Sequence, residues 1–306
     1  MGLSLSTSWN AFRYNSGLEI IAEIRKLGFT EVELSFDLTA GIVEDISALS
    51  AQGQIKVNSL HNFCPIPDGL ERREALPDCY SLASCDEQKR SLAVKYTKIT
   101  IDTALKLNAK AVVLHSGRVE IEDLTRQLIA CYDDGQMQSP YARRLSARMR
   151  KERKSKEGPY FQAALKSLDE LSSYVKDMPI TLGIENRFYY REIPSFEEVG
   201  KILERLKGSR ISYWHDTGHA QLWENLGVLK HRYYLDRYAQ YLSGVHLHDI
   251  EGARDHLAPL KGSFDFTLLK PFLKNDTIKT MEAHYPASSE DIVTAKGYLE
   301  KLYGAH

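Results

Sequence analysis

The sequence predicts a single-domain (β/α)8 barrel, and three observations carry that expectation. Eight short apolar runs rich in β-branched residues are spread along the 306 residues. Amphipathic runs with apolar residues three and four apart separate them, the alternation expected of βα units. No Gly/Pro/Ser-rich linker or change of composition divides the chain, so one domain over residues 1–306 suffices.

The strands are expected at Leu3 to Trp9, Glu31 to Phe36, Ile55 to Phe63, Ala111 to His115, Ile180 to Glu185, Ile211 to Asp216, Val245 to Asp249 and Thr277 to His284. The first helix follows from Leu18, Ile21, Ala22, Ile24 and Leu27, closed by Gly28, which suits a helix C-terminus. The same pattern predicts helices over Asp86 to Leu107, Phe161 to Val175, Ser195 to Leu206, Gly227 to Leu242, Phe266 to Leu273 and Ser289 to Tyr303. Two stretches break the rhythm. Cys64 to Cys85, with Pro65, Pro67, Gly69 and Pro77, reads as a long loop after the third strand, and Ser116 to Tyr160 as a second after the fourth. Long βα loops overhang the mouth of a barrel, which makes both candidates for lids or substrate contacts. The first turn, Ser8-Trp9-Asn10-Ala11-Phe12-Arg13, lacks the GxGxxG of a dinucleotide-binding sheet.

Lys and Arg number 40 against 41 Asp and Glu, with 43% hydrophobic and 26% charged residues, the composition of a globular protein. A formal net charge of -1 gives no overall attraction to nucleic acid or anionic lipid, so any polyanion contact is local. No apolar run reaches the ~20 residues that cross a bilayer. Cys64, Cys79, Cys85 and Cys131 form no CxxC pair, and no signal-like segment precedes them. Together these predict a cytoplasmic protein without a disulfide framework or a thiolate zinc site.

His61, His115, His215, His219, His246, His248 and His284 fall at or just past predicted strand ends. Glu33, Glu185, Asp216, Asp249 and Glu282 share that rim, where barrel enzymes place their chemistry. Neighbouring residues on a strand point to opposite faces, so not every group in Trp214-His215-Asp216 can reach the barrel axis. Imidazoles and carboxylates without cysteine suit a divalent Mn, Zn, Co or Mg ion. Any one of these histidines, taken alone, is more simply a satisfied hydrogen-bonding residue; the cluster is what points to metal.

The segments SLHNF, VVLHSG, LGIENR, WHDTGHA, GVHLHD, HLAPLKG and TMEAHYP occur in this order from the third strand to the eighth. In this they resemble the xylose isomerase-like barrel superfamily, which joins sugar isomerases and epimerases with endonuclease IV-type nucleases. In the isomerase branch one metal is held from strands five to eight, and the resemblance assigns it to Glu185, Asp216, His246 and Glu282. It further implies that Glu185 and Glu282 act as an acid/base pair, moving a proton between adjacent carbons of a metal-polarised substrate. The substrate so implied is a small polyhydroxylated carbonyl compound: a sugar, sugar phosphate or keto acid. A dehydratase of a cyclic hydroxy-keto acid would use the same enolising chemistry.

The nuclease branch holds three zinc ions and adds His61, His115, His219 and His256 to the ligands. Its Asp two residues before the last histidine is replaced by Arg254, with Asp255 out of register by one, and an Arg there would repel zinc. On the isomerase reading His61, His115, His219 and His256 bind substrate instead. Arg254 is then either an anion clamp or an ordinary loop residue.

Arg143, Arg144, Arg148, Arg150, Lys151, Arg153, Lys154 and Lys156 make residues 142–156 the most cationic segment. Leu145 and Met149 at four-residue spacing favour a helix with a solvated basic face. A lid over an anionic substrate and a phosphate contact to abasic DNA are the alternatives. No GxSxG elbow accompanies the serines. The expectation is a metal-dependent isomerase or epimerase acting on a small molecule, with a zinc-dependent abasic-site phosphodiesterase as runner-up and a non-catalytic binding protein as third. Oligomeric state, including a homo-oligomer, is left open.

Overall fold

Eight parallel strands close into a barrel in the computed structural model of the chain, which describes residues 2–304. Met1, Ala305 and His306, part of the expected domain, lie outside the described residues. The barrel strands are β1 (Leu3–Ser6), β2 (Glu31–Leu34), β3 (Lys56–His61), β4 (Ala111–Leu114), β5 (Thr181–Glu185), β6 (Ile211–Asp216), β7 (Leu242–Leu247) and β10 (Ile278–Met281). Each pairs with the next along the chain, and β10 closes on β1. The remaining strands, β8 (Asp249–Glu251) and β9 (Arg254–Leu257), form an antiparallel hairpin beyond β7.

Strand alternation sorts the core into two parts. Val112, Leu114 and Tyr213 face outward into the apolar layer shared with the helices. Ala111, Val113, Trp214 and Ile278 form a separate cluster inside the barrel. Trp214 fits there because glycines stand on both neighbouring strands. A Cβ at Gly244 would lie 2.2 Å from its ring and one at Gly183 would lie 2.8 Å away. This packed plug forms the floor beneath the mouth, since barrel interiors are filled rather than open.

The helices are α1 (Gly17–Lys26), α2 (Ala40–Ala51), α3 (Glu87–Lys106), α4 (Thr125–Asp133), α5 (Pro140–Tyr174), α6 (Phe196–Arg205), α7 (Thr217–Asn225), α8 (His231–Tyr238) and α9 (Ser289–Tyr303). Several expectations require correction. The second long loop is largely helical: α4 and the first half of α5 occupy it, so the expected helix from Phe161 is the end of a 35-residue one. Helices α2 and α7 were not anticipated. The helix expected over Gly227 to Leu242 shrinks to α8 with a 3-10 turn at Ala239–Tyr241, and that over Phe266 to Leu273 to a turn at Phe266–Leu269. The loop after β3 is a loop, with one 3-10 turn at Arg72–Glu74.

The basic segment is a helix with one buried stripe. Leu145, Met149 and Arg153 are all buried. Arg153 reaches across to α6, where its Nη2 lies 2.6 Å from Glu198 Oε2 and its Nη1 3.1 Å from Oε1. No helix among the described residues is long and apolar enough to cross a membrane. All four cysteines are free.

Candidate metal centre

Glu185, Asp216 and His246 end the inward faces of β5, β6 and β7, and Glu282 follows β10 on its inward parity. The Nδ1 atom of His246 lies 2.6 Å from Glu185 Oε1, 2.9 Å from Glu282 Oε2 and 3.8 Å from Asp216 Oδ2. Potential donor atoms of the four residues all fall within 4.8 Å of one another, and all four side chains are buried. Burial disfavours every charge here, yet the surrounding carboxylates, led by Glu282 and Glu33, hold the His246 imidazole well above its ordinary pKa. Three converging carboxylates around one imidazole could hold a cation. Hard oxygen donors with a single nitrogen fit a divalent ion.

The surroundings orient these groups. Glu33, buried on β2, lies 3.0 Å from His246 Nε2 and accepts a 2.7 Å bond from the Ser59 hydroxyl. With a divalent ion in place of the Nδ1 proton, a proton kept on Nε2 by Glu33 would leave Nδ1 as the ligand nitrogen, the usual way a neighbouring carboxylate fixes a ligand histidine. Glu185 Oε2 meets His115 Nε2 at 2.8 Å and the Arg187 guanidinium at 2.7 Å. Burial would raise the Glu185 carboxyl, but His115 and His246 hold it well below its usual range. Asn186, the next residue, accepts from the Asp216 amide at 2.8 Å and donates to its carbonyl at 3.0 Å, which fixes the end of β6 beside β5.

Asp216 has two tasks. Its Oδ1 accepts from the His219 amide at 2.7 Å and so caps α7, while Oδ2 lies 2.9 Å from His248 Nε2. Against the effect of burial, His219 and His248 hold its carboxyl down to about 2. Gly218 is required here because a Cβ would sit 2.2 Å from the His248 ring.

Three further donor groups adjoin the first: His61 with His115 and Glu185; Asp216 with His219, His248 and His256; and His256 with Glu282 and His284. His61 is pushed down to about 4 by burial and by His115, so it is a neutral imidazole near neutral pH. His256 lies 3.0 Å from Asp255, which overcomes the effect of burial and raises it to about 9.

The expected residues converge with three exceptions, of which the first is Asp249, whose carboxylate accepts from the Ile250, Leu260 and Phe264 amides at 2.9 Å and stays outside the cluster. His215, although at the rim, faces the helix layer, where its Nε2 lies 2.9 Å from His231 Nε2. Arg254 is exposed on the hairpin and does not line the cavity. Asp255 turns inward instead and lies 3.9 Å from His219 Nε2. The physical cause is the left-handed backbone of His256, at φ 53°, which breaks strand alternation and brings neighbouring side chains to one face. The expected repulsion between Arg254 and metal therefore does not arise.

Glu185, Glu282, His61, His115, His219 and His256 line a cavity of about 470 Å³ at the C-terminal mouth, the size of a small-molecule site, with Asp216 and His246 fully buried behind them. Both irregular stretches contribute to its wall: Leu76, Pro77 and Asp78 from the loop after β3, Arg118 and Arg126 from the segment after β4. Asp78 and Arg187 were absent from the sequence-based site. Asp78 lies 3.7 Å from His115 and 3.8 Å from Arg187.

Residues 21–301 match the model of the xylose isomerase-like TIM barrel family, and the chain belongs to that family. The uncharacterized protein MJ1614 of Methanocaldococcus jannaschii is 26% identical over 271 residues, covering 88% of this chain and 85% of its own length. A D-tagatose 3-epimerase-like protein shares the fold at a TM-score of 0.68, with 18% identity over 99% of this chain and 97% of its own. The IOLI protein, solved with a bound zinc atom, superposes at 0.64, with 15% identity and full coverage of both chains. At these identities the solved structures speak for the fold alone.

Proposed function

We propose that this chain is a divalent-metal-dependent isomerase or epimerase of a small polyhydroxylated carbonyl compound. The observation that carries the reading is the buried quartet of Glu185, Asp216, His246 and Glu282, of which Glu185 and Glu282 face a small-molecule cavity. A divalent ion held by these four residues supplies a Lewis acid for the substrate's carbonyl and its neighbouring hydroxyl. Glu185 and Glu282 enter from β5 and β10, with β6 and β7 between them, and so approach a bound substrate from different sides. One takes a proton from the carbon beside the carbonyl, and the other returns a proton to the opposite face or the adjacent carbon. His115 stands 2.8 Å from Glu185, and His256 4.0 Å from Glu282, each placed to bind a substrate hydroxyl and steady its glutamate. Phe36 and Phe188 provide apolar wall. Related folds named as epimerases are consistent with this chemistry.

The test is deuterium uptake. The protein is loaded in turn with Mn, Co, Zn or Mg and incubated with ketoses and keto acids in deuterated water. Exchange at the carbon beside the carbonyl, followed by NMR, is the expected result, and E185Q and E282Q should each slow it by about 10²–10⁴-fold. Absence of exchange with every metal and substrate class would overturn the reading.

A second reading, a multi-zinc phosphodiesterase, is favoured by one observation: Asp255, His219 and His256 gather beside Asp216, and His61 and His115 beside Glu185. Cleavage of abasic-site DNA by zinc-loaded protein would select it.

A further inference from the structure

One wall of the cavity is basic in a way that the proton-transfer reading does not use. Arg118, Arg126, Arg187 and Arg191 all line it. Arg187 is committed to Glu185 at 2.7 Å and Glu192 at 2.9 Å. The other three are not committed to the metal centre's carboxylates. Among the described residues Arg118 and Arg126 form ion pairs only with rim acids, Glu120 at 3.2 Å and Asp123 at 3.5 Å, in contacts open to water. Exposed pairs of this kind exchange easily for a better anion. Arg191 makes no ion pair among the described residues: its Nη1 reaches the Ile121 carbonyl at 3.4 Å, and its buried Nε has no partner.

The wall is built rather than incidental. The segments after β4 and β5 are zipped together by backbone bonds, Val119 N to Arg191 O and Ile193 N to Gly117 O, both 2.8 Å. Arg118 and Glu192 form a β-bridge within that zipper. Arg126 is steadied by Tyr189, whose hydroxyl lies 3.2 Å from Nη2 and whose ring centre lies 5.5 Å from the guanidinium carbon. Arg187 connects the zipper to the metal centre through Glu192 and Glu185. A buried guanidinium N–H without a partner calls for an acceptor, and forked guanidinium groups suit the paired oxygens of a phosphate or carboxylate.

We propose that Arg118, Arg126 and Arg191 form an anion subsite, so that the substrate is a small hydroxy-carbonyl compound bearing a phosphate monoester or carboxylate at one end. This rests on the proposed function for the other end of the molecule. The anion is gripped by the β4–β5 wall while the carbonyl end faces Glu185 and Glu282.

Calorimetric titration of the Mn-loaded full chain with D-ribulose 5-phosphate, D-gluconate, inorganic phosphate and D-ribulose tests this. At least one anionic ligand should bind tenfold or more tightly than D-ribulose, and whether phosphate or carboxylate wins identifies the group. The R118Q/R126Q variant alters exposed side chains, and R191Q the partly buried one. Each should weaken anionic binding tenfold or more and leave metal content unchanged. Equal binding of charged and neutral ligands, or an anion preference intact in both variants, would overturn the subsite. The two readings fail separately. Deuterium exchange on neutral ketoses without arginine-dependent anion binding would sink the subsite and spare the isomerase, whereas arginine-dependent phosphate binding without exchange on any substrate would do the reverse.

Discussion

His246 sits between two sets of carboxylates with different tasks. Glu185, Asp216 and Glu282 face Nδ1, while Glu33 holds Nε2. Replacing Glu33 with Gln keeps the side chain's size and its bond to Ser59 but no longer fixes the proton on Nε2. The expected outcome for E33Q is a loss of about 10–100-fold in metal affinity with the fold retained, read by competition with a metal-sensitive dye. Unchanged affinity would show that packing alone orients the ring. At this scale much of the site was legible in the sequence. The strand pattern put Glu185, Asp216, His246 and Glu282 at the rim, the family resemblance singled them out as a set, and the structure gathers all four. Asp255 was not legible, because its inward turn depends on a positive φ at His256 that no spacing rule reports. Asp78 and Arg187 were hidden for another reason: they reach the site from loops, where no periodicity fixes direction.

Among the elements, α5 carries the sharpest lesson. Gly158 and Pro159 punctuate its sequence, and proline inside a helix costs a backbone hydrogen bond. The helix nevertheless runs through, because Met149 and Arg153 before the break and Phe161 and Ala164 after it are all buried. Arg153 is a structural cation: its fork closes on Glu198, which also completes the capping box of α6. Glu157 also pairs with Arg153, at 2.6 Å, so E198A removes one of two carboxylates together with the α6 capping box and should destabilise the protein by about 1–3 kcal/mol in urea melts. A loss under 1 kcal/mol would mean that water replaces the partner. Helix α7 escaped notice because Asp216 is both its N-cap and a candidate ligand, so the HDTGH segment read as a cluster of ligands rather than as a helix start. Helix α2 shows the ordinary signal, with Ile42, Val43, Ile46 and Leu49 buried on one face.

For the whole molecule, barrel closure turns four distant segments into one site. Glu185 and Glu282 are far apart in sequence, yet each approaches the same imidazole nitrogen because β5, β6, β7 and β10 are consecutive around the barrel. The Trp214 plug beneath them, admitted by Gly183 and Gly244, keeps that floor solid. The strand rhythm was legible because an eight-fold βα repeat leaves its period in the sequence. The anion wall was not, since its arginines belong to two loops that meet only in three dimensions. An ion bound by residues from four strands would stabilise the folded state, so metal binding should raise the melting temperature with the logarithm of free metal over Kd.

The most direct test of the central claim is the metal content per chain, measured by elemental analysis after incubation with excess Mn, Co, Zn or Mg and extensive dialysis, for the wild type and for the doubly substituted D216N/E282Q protein. The wild type should retain about one equivalent of a divalent ion, and the variant, in which two of the four proposed ligands are altered, should lose it. A wild type that retains no metal under any of these conditions would contradict that claim, as would a variant that binds the ion as well as the wild type does.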